Sequence, residues 1–328
     1  MPLRWGYTLS SEEHPPGALV AAAVNAEQAD FDFCSISDHF HPWIEAQGHS
    51  PFAWAVLGAI AARTETIELM TGVTCPTVRL HPAIVAQAAA TTALLSEGRF
   101  SLGLGSGEAL NEHILGHRWP PPETRLAMLE EATEVIRRLW SGETVDHRGT
   151  FYAVENARLF DVPDRPVPIV MSGFGKRSAQ LAGRIGDGFF GHQTTTELTD
   201  AYRSVGGHGP RYAQIDVCLG PDRAACRRTV HETWPNGALP GQLAQELPTW
   251  TQFEQAAQLV SEDAAAADVP CGPDVDAVVR LARDYVRAGY DHLYLHQIGP
   301  DQDALLDAWR SDLGAGLRGL ESDLVATG

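Results

Sequence analysis

The chain has 328 residues, 44% of them hydrophobic, with a formal net charge of −18. That is enough apolar residue to bury a sizeable core, so a disordered chain is excluded. The acidic balance argues against nucleic acid or an anionic membrane surface as the partner and leaves a small-molecule substrate.

Trp5–Leu9 reads as a first strand ending near Glu12, Glu13 and His14, and Pro15-Pro16 opens an alanine-rich helix running to about Ala29. Proline suits a first helical turn because its missing N–H has no partner there in any case. Phe33–Ser37 is the second strand, and Ser50-Pro51 is expected to cap a helix carrying Trp54, Leu57 and Ile60 at helical spacing. Glu68–Val73 is the third strand, followed by a helix from Pro82. Phe100–Leu104 is the fourth strand, followed by a helix over Thr124–Trp140. A hairpin and loop fill 141–168. Strands then return at Val167–Met171, Gly188–Gly191, Tyr212–Leu219 and His292–His296, with helices at Lys176–Gly186, Val275–Ala288 and Gln302–Leu320. An irregular insertion with Trp234 and Trp250 is expected over 231–267. Eight strands alternating with helices predict one (β/α)8 TIM barrel over 1–328, with insertions at about 141–168 and 231–267.

Five cysteines (Cys34, Cys75, Cys218, Cys226, Cys271) without Cys-x-x-Cys spacing fit buried free thiols in a reducing cytoplasm better than a disulfide framework or structural zinc. Neither an apolar signal core nor a run of about 18 apolar residues occurs, so a soluble, cytoplasmic protein is expected.

Ser35-Ile-Ser-Asp-His-Phe-His-Pro-Trp43 is an apolar strand ending abruptly in an acid, two imidazoles and an indole. At the C-terminal end of a barrel strand, His39 suits a general base, with Asp38 orienting it or binding a polar ligand. A helix-capping Asp and a surface His remain open alternatives. His39-Phe-His41 could also suit a metal, but Pro42 places it in a loop, and the metal reading is minor. Trp43 is either core or the wall of an apolar pocket. Gly103-Leu-Gly-Ser-Gly-Glu108 lets backbone amides approach a ligand, although a glycine-rich turn explains it equally. Ser172-Gly-Phe-Gly-Lys-Arg177 joins a strand to a helix, where free N–H groups and two cations would form an anion site for a phosphate-bearing cofactor. Lys176 is the only lysine in the chain.

Taken together, Ser37–Trp43, Thr71-Gly-Val-Thr-Cys-Pro-Thr77, Gly103–Glu112 and Ala182-Gly-Arg-Ile-Gly-Asp-Gly188 resemble the luciferase-like superfamily. The likeness is to its F420-dependent dehydrogenase branch, typified by the glucose-6-phosphate dehydrogenases, and runs almost end to end. It implies a barrel, usually dimeric, that holds the deazaflavin coenzyme F420 at the strands' C-terminal ends. By motif, Asp38, Gly72, Val73, Ser106, Gly107 and Asn111 would contact the cofactor, and Gly173, Gly175, Lys176 and Arg177 would lie near its phosphate tail. His39, Trp43 and Glu108 would surround the reacting atoms, with Glu12 the rival base, and Gly72–Val73 falls where the family has a non-prolyl cis peptide. His192, Gln193 and Thr195 fall on the substrate side.

A deazaflavin implies two-electron hydride transfer with a hydroxyl-bearing substrate. The sugar-phosphate members hold the substrate phosphate with two lysines and an arginine. Here those positions fall near Thr195, Ala244 and Asp268, so an unphosphorylated sugar, another alcohol or a natural-product intermediate is expected instead. The alternatives are an FMN-dependent monooxygenase of the same superfamily and a catalytically silent barrel that only binds a ligand.

Overall fold

A computed structural model describes residues 2–321; the ends of the expected 1–328 domain lie outside the described residues. The first half is a plain alternation. Strands β1 (Arg4–Leu9), β2 (Phe33–Ile36), β3 (Glu68–Thr71) and β4 (Phe100–Leu104) are separated by helices α1 (Pro16–Gln28), α2 (Ala53–Ala61) and α3 (Pro82–Leu95). Prolines at the first turns of α1 and α3 start those helices where a missing N–H costs nothing. A short turn of helix, α4 (Ala109–Glu112), precedes the long α5 (Pro122–Leu139). An antiparallel hairpin follows, β5 (Val145–Arg148) with β6 (Ala153–Ala157).

The second half resumes with β7 (Ile169–Ser172), α6 (Lys176–Ile185), β8 (Gly188–Gly191), α7 (Glu197–Arg203) and β9 (Arg211–Leu219). Helix α8 (Arg223–Thr233) leads into three short helices, α9 (Leu243–Glu246), α10 (Trp250–Ala257) and α11 (Glu262–Ala265). The expected irregular insertion is therefore mostly helical, because Thr249 and Ser261 cap α10 and α11 with their side chains. A two-residue strand β10 (Cys271–Gly272), α12 (Val275–Arg287), β11 (His292–Gln297), α13 (Gln302–Ala308) and α14 (Gly314–Arg318) complete the described chain. The closing helix is interrupted by a π turn over Trp309–Leu313.

Eight parallel strands run in the order β9-β11-β1-β2-β3-β4-β7-β8, and pairing of β8 with β9 closes them into a (β/α)8 barrel. The main core lies between strands and helices, where α5, for example, buries Leu129, Ile136 and Leu139, each contributing about 1.5–3 kcal/mol. Inside the barrel, Phe33, Met70, Val170, Phe190, Tyr212 and Tyr294 fill the middle. The interior is thus packed, and only the C-terminal rim is left for a ligand. Among the described residues no helix is long and apolar enough to cross a membrane.

Two expected details differ. The third strand ends at Thr71, and the Gly72–Val73 peptide is cis, as the family resemblance implied. Ser50 does not cap α2, whose N-cap is Phe52. Its hydroxyl instead donates to the His39 carbonyl at 2.8 Å, tying the loop after β2 to itself.

Candidate active site

The loop after β2 is held by buried partners on three sides. Asp38 Oδ2 accepts from the Thr74 hydroxyl at 2.7 Å, and Oδ1 accepts from Arg79 Nη2 at 2.9 Å. The same guanidinium donates to the Asp38 carbonyl at 3.0 Å and stands 3.5 Å from Glu112. The Arg79 backbone N–H also donates to Glu112 Oε2, at 2.6 Å. All three side chains are nearly inaccessible, so each buried carboxylate has a cation and each cation has carboxylates. Burial nevertheless pushes the Glu112 carboxyl up to about 7, against the opposing pull of Arg79. Asn111 Oδ1 accepts from the backbone of Phe40 and His41 at 2.8 and 3.2 Å, while its Nδ2 is buried without a partner. His41 Nδ1 contacts the Leu110 carbonyl at 3.1 Å. His41 is therefore a loop clasp, and no metal-binding group occurs among the described residues.

His39 stands at the rim between Glu12 and Trp43. Its Nδ1 is 3.3 Å from Glu12 Oε1, in electrostatic contact but off the line of a hydrogen bond. Glu12 is buried, and its Oε2 accepts from the hydroxyls of Ser37 and Ser10. The Trp43 ring meets His39 edge-on at 4.9 Å and Phe253 of α10 at 5.0 Å. With Ile44, Leu110 and Phe253 behind it, Trp43 is both packed and part of the His39 surroundings. Gln47 Oε1 accepts from the Trp43 backbone N–H at 2.8 Å, and its amide donates to Asn236 and to the Thr233 carbonyl. The end of α8 and the insertion after it thus brace the loop after β2.

The glycine-rich loop lies alongside. Gly107 has φ +77, and a Cβ there would lie 2.4 Å from Cys75 Sγ; only glycine fits the close approach. A Cβ on Gly105 would meet the Val73 side chain at 2.6 Å, so the cis peptide and the glycine loop line one shelf. Ser106 and Glu108 are half-buried on it. Gly173 passes too close to Ala179 for any side chain, and Gly175 and Lys176 begin α6. Arg177 turns instead to the exposed Glu123 of α5, at 2.6 Å, so the two cations do not converge. His192 is exposed and packs edge-on against Phe174 at 4.4 Å, with Gln193 and Thr195 beside it.

On the other side of β1 from the His39 loop is a cluster that the sequence alone did not single out. His296, buried on β11, bridges Glu13 Oε2 at 2.7 Å and Asp216 Oδ1 at 2.9 Å. Burial disfavours its charge, but the two carboxylates outweigh burial and raise it to about 10. Inward-facing His292, Tyr294 and His296 alternate along the strand, a period-two signal that could have exposed it.

Residues 2–293 match the luciferase-like monooxygenase family. F420-dependent glucose-6-phosphate dehydrogenase of Beutenbergia cavernae is 37% identical over 97% of this chain and 98% of its own. The enzyme of the same description from Mycobacterium avium is 36% identical over 97% and 99%. Among solved structures, an F420-dependent secondary alcohol dehydrogenase in complex with an F420–acetone adduct superposes with a TM-score of 0.89, at 28% identity over 97% of this chain and 99% of that one. The fold is also shared with the coenzyme F420-dependent tetrahydromethanopterin reductase of Methanopyrus kandleri (TM-score 0.76, 20% identity, 97% and 100% covered).

Proposed function

We propose, from the premise that the chain belongs to the luciferase-like family and is similar end to end to F420-dependent dehydrogenases, that it is an F420-dependent oxidoreductase acting on a hydroxyl-bearing substrate other than a sugar 6-phosphate. The rim fits the coenzyme: Gly72, Gly105 and Gly107, packed about Val73, have no room for side chains of their own, and Asn111 Nδ2 is a buried donor awaiting an acceptor. Ser106 and Asn111 would hold the ring system and Gly173, Gly175 and Lys176 its phosphate-bearing tail, whereas Asp38, inaccessible and taken up by Thr74 and Arg79, holds the loop beneath the ring rather than touching it, and Arg177 is turned to Glu123. When bound, F420 supplies a two-electron hydride acceptor or donor.

The single observation that carries the mechanism is the Glu12–His39 pair. Glu12 is buried and held by two serine hydroxyls, and it faces His39 Nδ1. That leaves Nε2 as the nitrogen able to take a hydroxyl proton, and makes Glu12 the group that orients it. Trp43 fixes the imidazole plane, and Glu108 offers a half-exposed carboxyl as the proton donor on the opposite side. The substrate side lacks the means to hold a dianion: Thr195 is neutral, Ala244 packs beside Trp43, and Asp268 is acidic.

Titration with oxidised F420 and with FMN, followed by turnover on alcohols, sugars and glucose 6-phosphate, tests the proposal. F420 should bind and bleach with a neutral hydroxyl compound. His39→Ala should keep F420 affinity and lose about 10²–10⁴ in kcat. Preferred binding of FMN, high kcat/KM with glucose 6-phosphate, or wild-type turnover in His39→Ala would each contradict it.

A further inference from the structure

Glu12 and Glu13 leave β1 side by side and turn opposite ways: Glu12 to His39, Glu13 to His296. The β2 loop and the β9–β11 cluster, on either side of β1, therefore share one two-residue fork. Glu13 Oε1 accepts the Gly299 N–H at 2.8 Å, which completes its shell. His296 has both ring nitrogens occupied and the Trp234 ring edge-on at 4.6 Å. Their side chains are 4% and 2% exposed, but that of Asp216 is 33% exposed. Asp216 Oδ1 takes both His296 Nδ1 and Gln214 Nε2, the latter at 2.8 Å, and Oδ2 makes no hydrogen bond among the described residues. A second feature points the same way. Thr8, next along β1 from Tyr7, continues the register that pairs Tyr7 with Leu295, and so stands level with His296. It faces inward like Gly6 and is over nine-tenths buried, yet its hydroxyl has no partner.

We infer that Asp216, fixed by His296 and Glu13, is the specificity-determining residue of the far wall, where its free oxygen accepts a hydrogen bond from a second hydroxyl of the substrate. The substrate class is then a neutral polyhydroxylated compound, an unphosphorylated sugar or polyol, rather than a simple alcohol; this rests on reading the rim as the substrate pocket of an F420-dependent oxidoreductase. His296 is a positioning residue. Its charge cancels one carboxylate of the pair, so the wall stays net anionic, accepts hydroxyls and repels phosphate. A site built to take up a hydroxyl rejects an analogue lacking it, because its acceptor would be left dry and unpaired.

The test is calorimetric titration of the protein loaded with oxidised F420, using D-glucose, sorbitol, 2-propanol and D-glucose 6-phosphate, alongside the F420 absorbance. In wild type, glucose or sorbitol should bind at least tenfold more tightly than 2-propanol or glucose 6-phosphate. Asp216→Ala should erase that preference through a tenfold or greater rise in Kd for the polyol, with F420 affinity retained as the check on folding. Asp216→Asn, of the same shape, should fall between the two. His296→Ala should weaken polyol binding, and His296→Gln, which keeps a donor for Asp216, should restore it in part with F420 affinity unchanged in both, a rescue that a purely structural role would not give. The inference is overturned if no polyol binds, if 2-propanol binds as tightly, or if Asp216→Ala leaves the preference intact. Bleaching by 2-propanol independent of Asp216 overturns the wall assignment and leaves the oxidoreductase standing. Polyol binding that depends on Asp216 without any hydride transfer does the reverse.

Discussion

At the residue scale the site is defined by which polar groups have partners and which do not. Glu12 Oε2 is engaged by two serine hydroxyls, whereas Oε1 faces His39 without a hydrogen bond. If Glu12 orients rather than abstracts, Glu12→Gln should keep F420 affinity and cost about 10–100-fold in kcat, less than His39→Ala, and should shift the pH–rate profile. A Glu12→Gln loss as deep as that of His39→Ala would make the carboxylate the base. His39, Trp43 and Glu108 were legible because they end apolar strands abruptly or follow glycines. Arg79, Glu112, Asp216 and His296 were not. Their charged partners are 33 to 283 residues away in sequence, and a lone charge inside an apolar run carries no mark of its partner until the fold supplies it. Lys176 and Arg177, adjacent in sequence, seemed one anion site, but successive helix positions project about 100° apart, and Arg177 faces Glu123.

At the element scale, the short helix α4 ties two loops of the rim together. Its Asn111 holds the loop after β2, and its Glu112 holds Arg79. Glu112 lies at about 7 in the fold against an ordinary value near 4.5, so the folded state binds this proton more tightly than the unfolded state. Stability from this group is therefore present below the unfolded value and is lost as pH rises from about 4.5 through 7, by up to about 3 kcal/mol. Glu112→Gln removes the titration and keeps an acceptor for the Arg79 N–H. Urea unfolding at pH 5 and 8 should show the variant gaining on wild type by up to that amount; a gap independent of pH would remove Glu112 as the cause. The strands and major helices were legible from periodicity and proline placement. The helices of the 231–267 segment were not, because α9 and α11 are only four residues each and a single turn shows no period.

At the scale of the molecule, the outer helical layer is fastened to the first strands by a segment from near the other end of the described chain. Trp309, in the π turn near the described C-terminal end, stacks on Phe31 at 4.0 Å and donates to the Ala29 carbonyl at 2.7 Å, while Tyr7 meets Phe31 edge-on at 5.6 Å. These contacts fasten the last helical layer to the chain entering β2. Phe31→Ala should destabilise by about 3–5 kcal/mol in denaturant unfolding. A loss under about 1 kcal/mol would show that the ends are not a fastening. The barrel was legible as a count of eight strands, whereas the fastening was not, since a π turn has no distinctive sequence period.

The fork of Glu12 and Glu13 also bears on how such a protein could change its diet. Under the proposed mechanism one carboxylate would serve the chemistry and its neighbour the choice of substrate, with a single peptide bond between them. A graft that replaces the β9 and β11 rim with that of a relative would tug on the base through this linkage. Transplants that carry the segment 10–14 along with Asp216 and His296 should keep their turnover, and those that leave it behind should lose rate before they lose affinity.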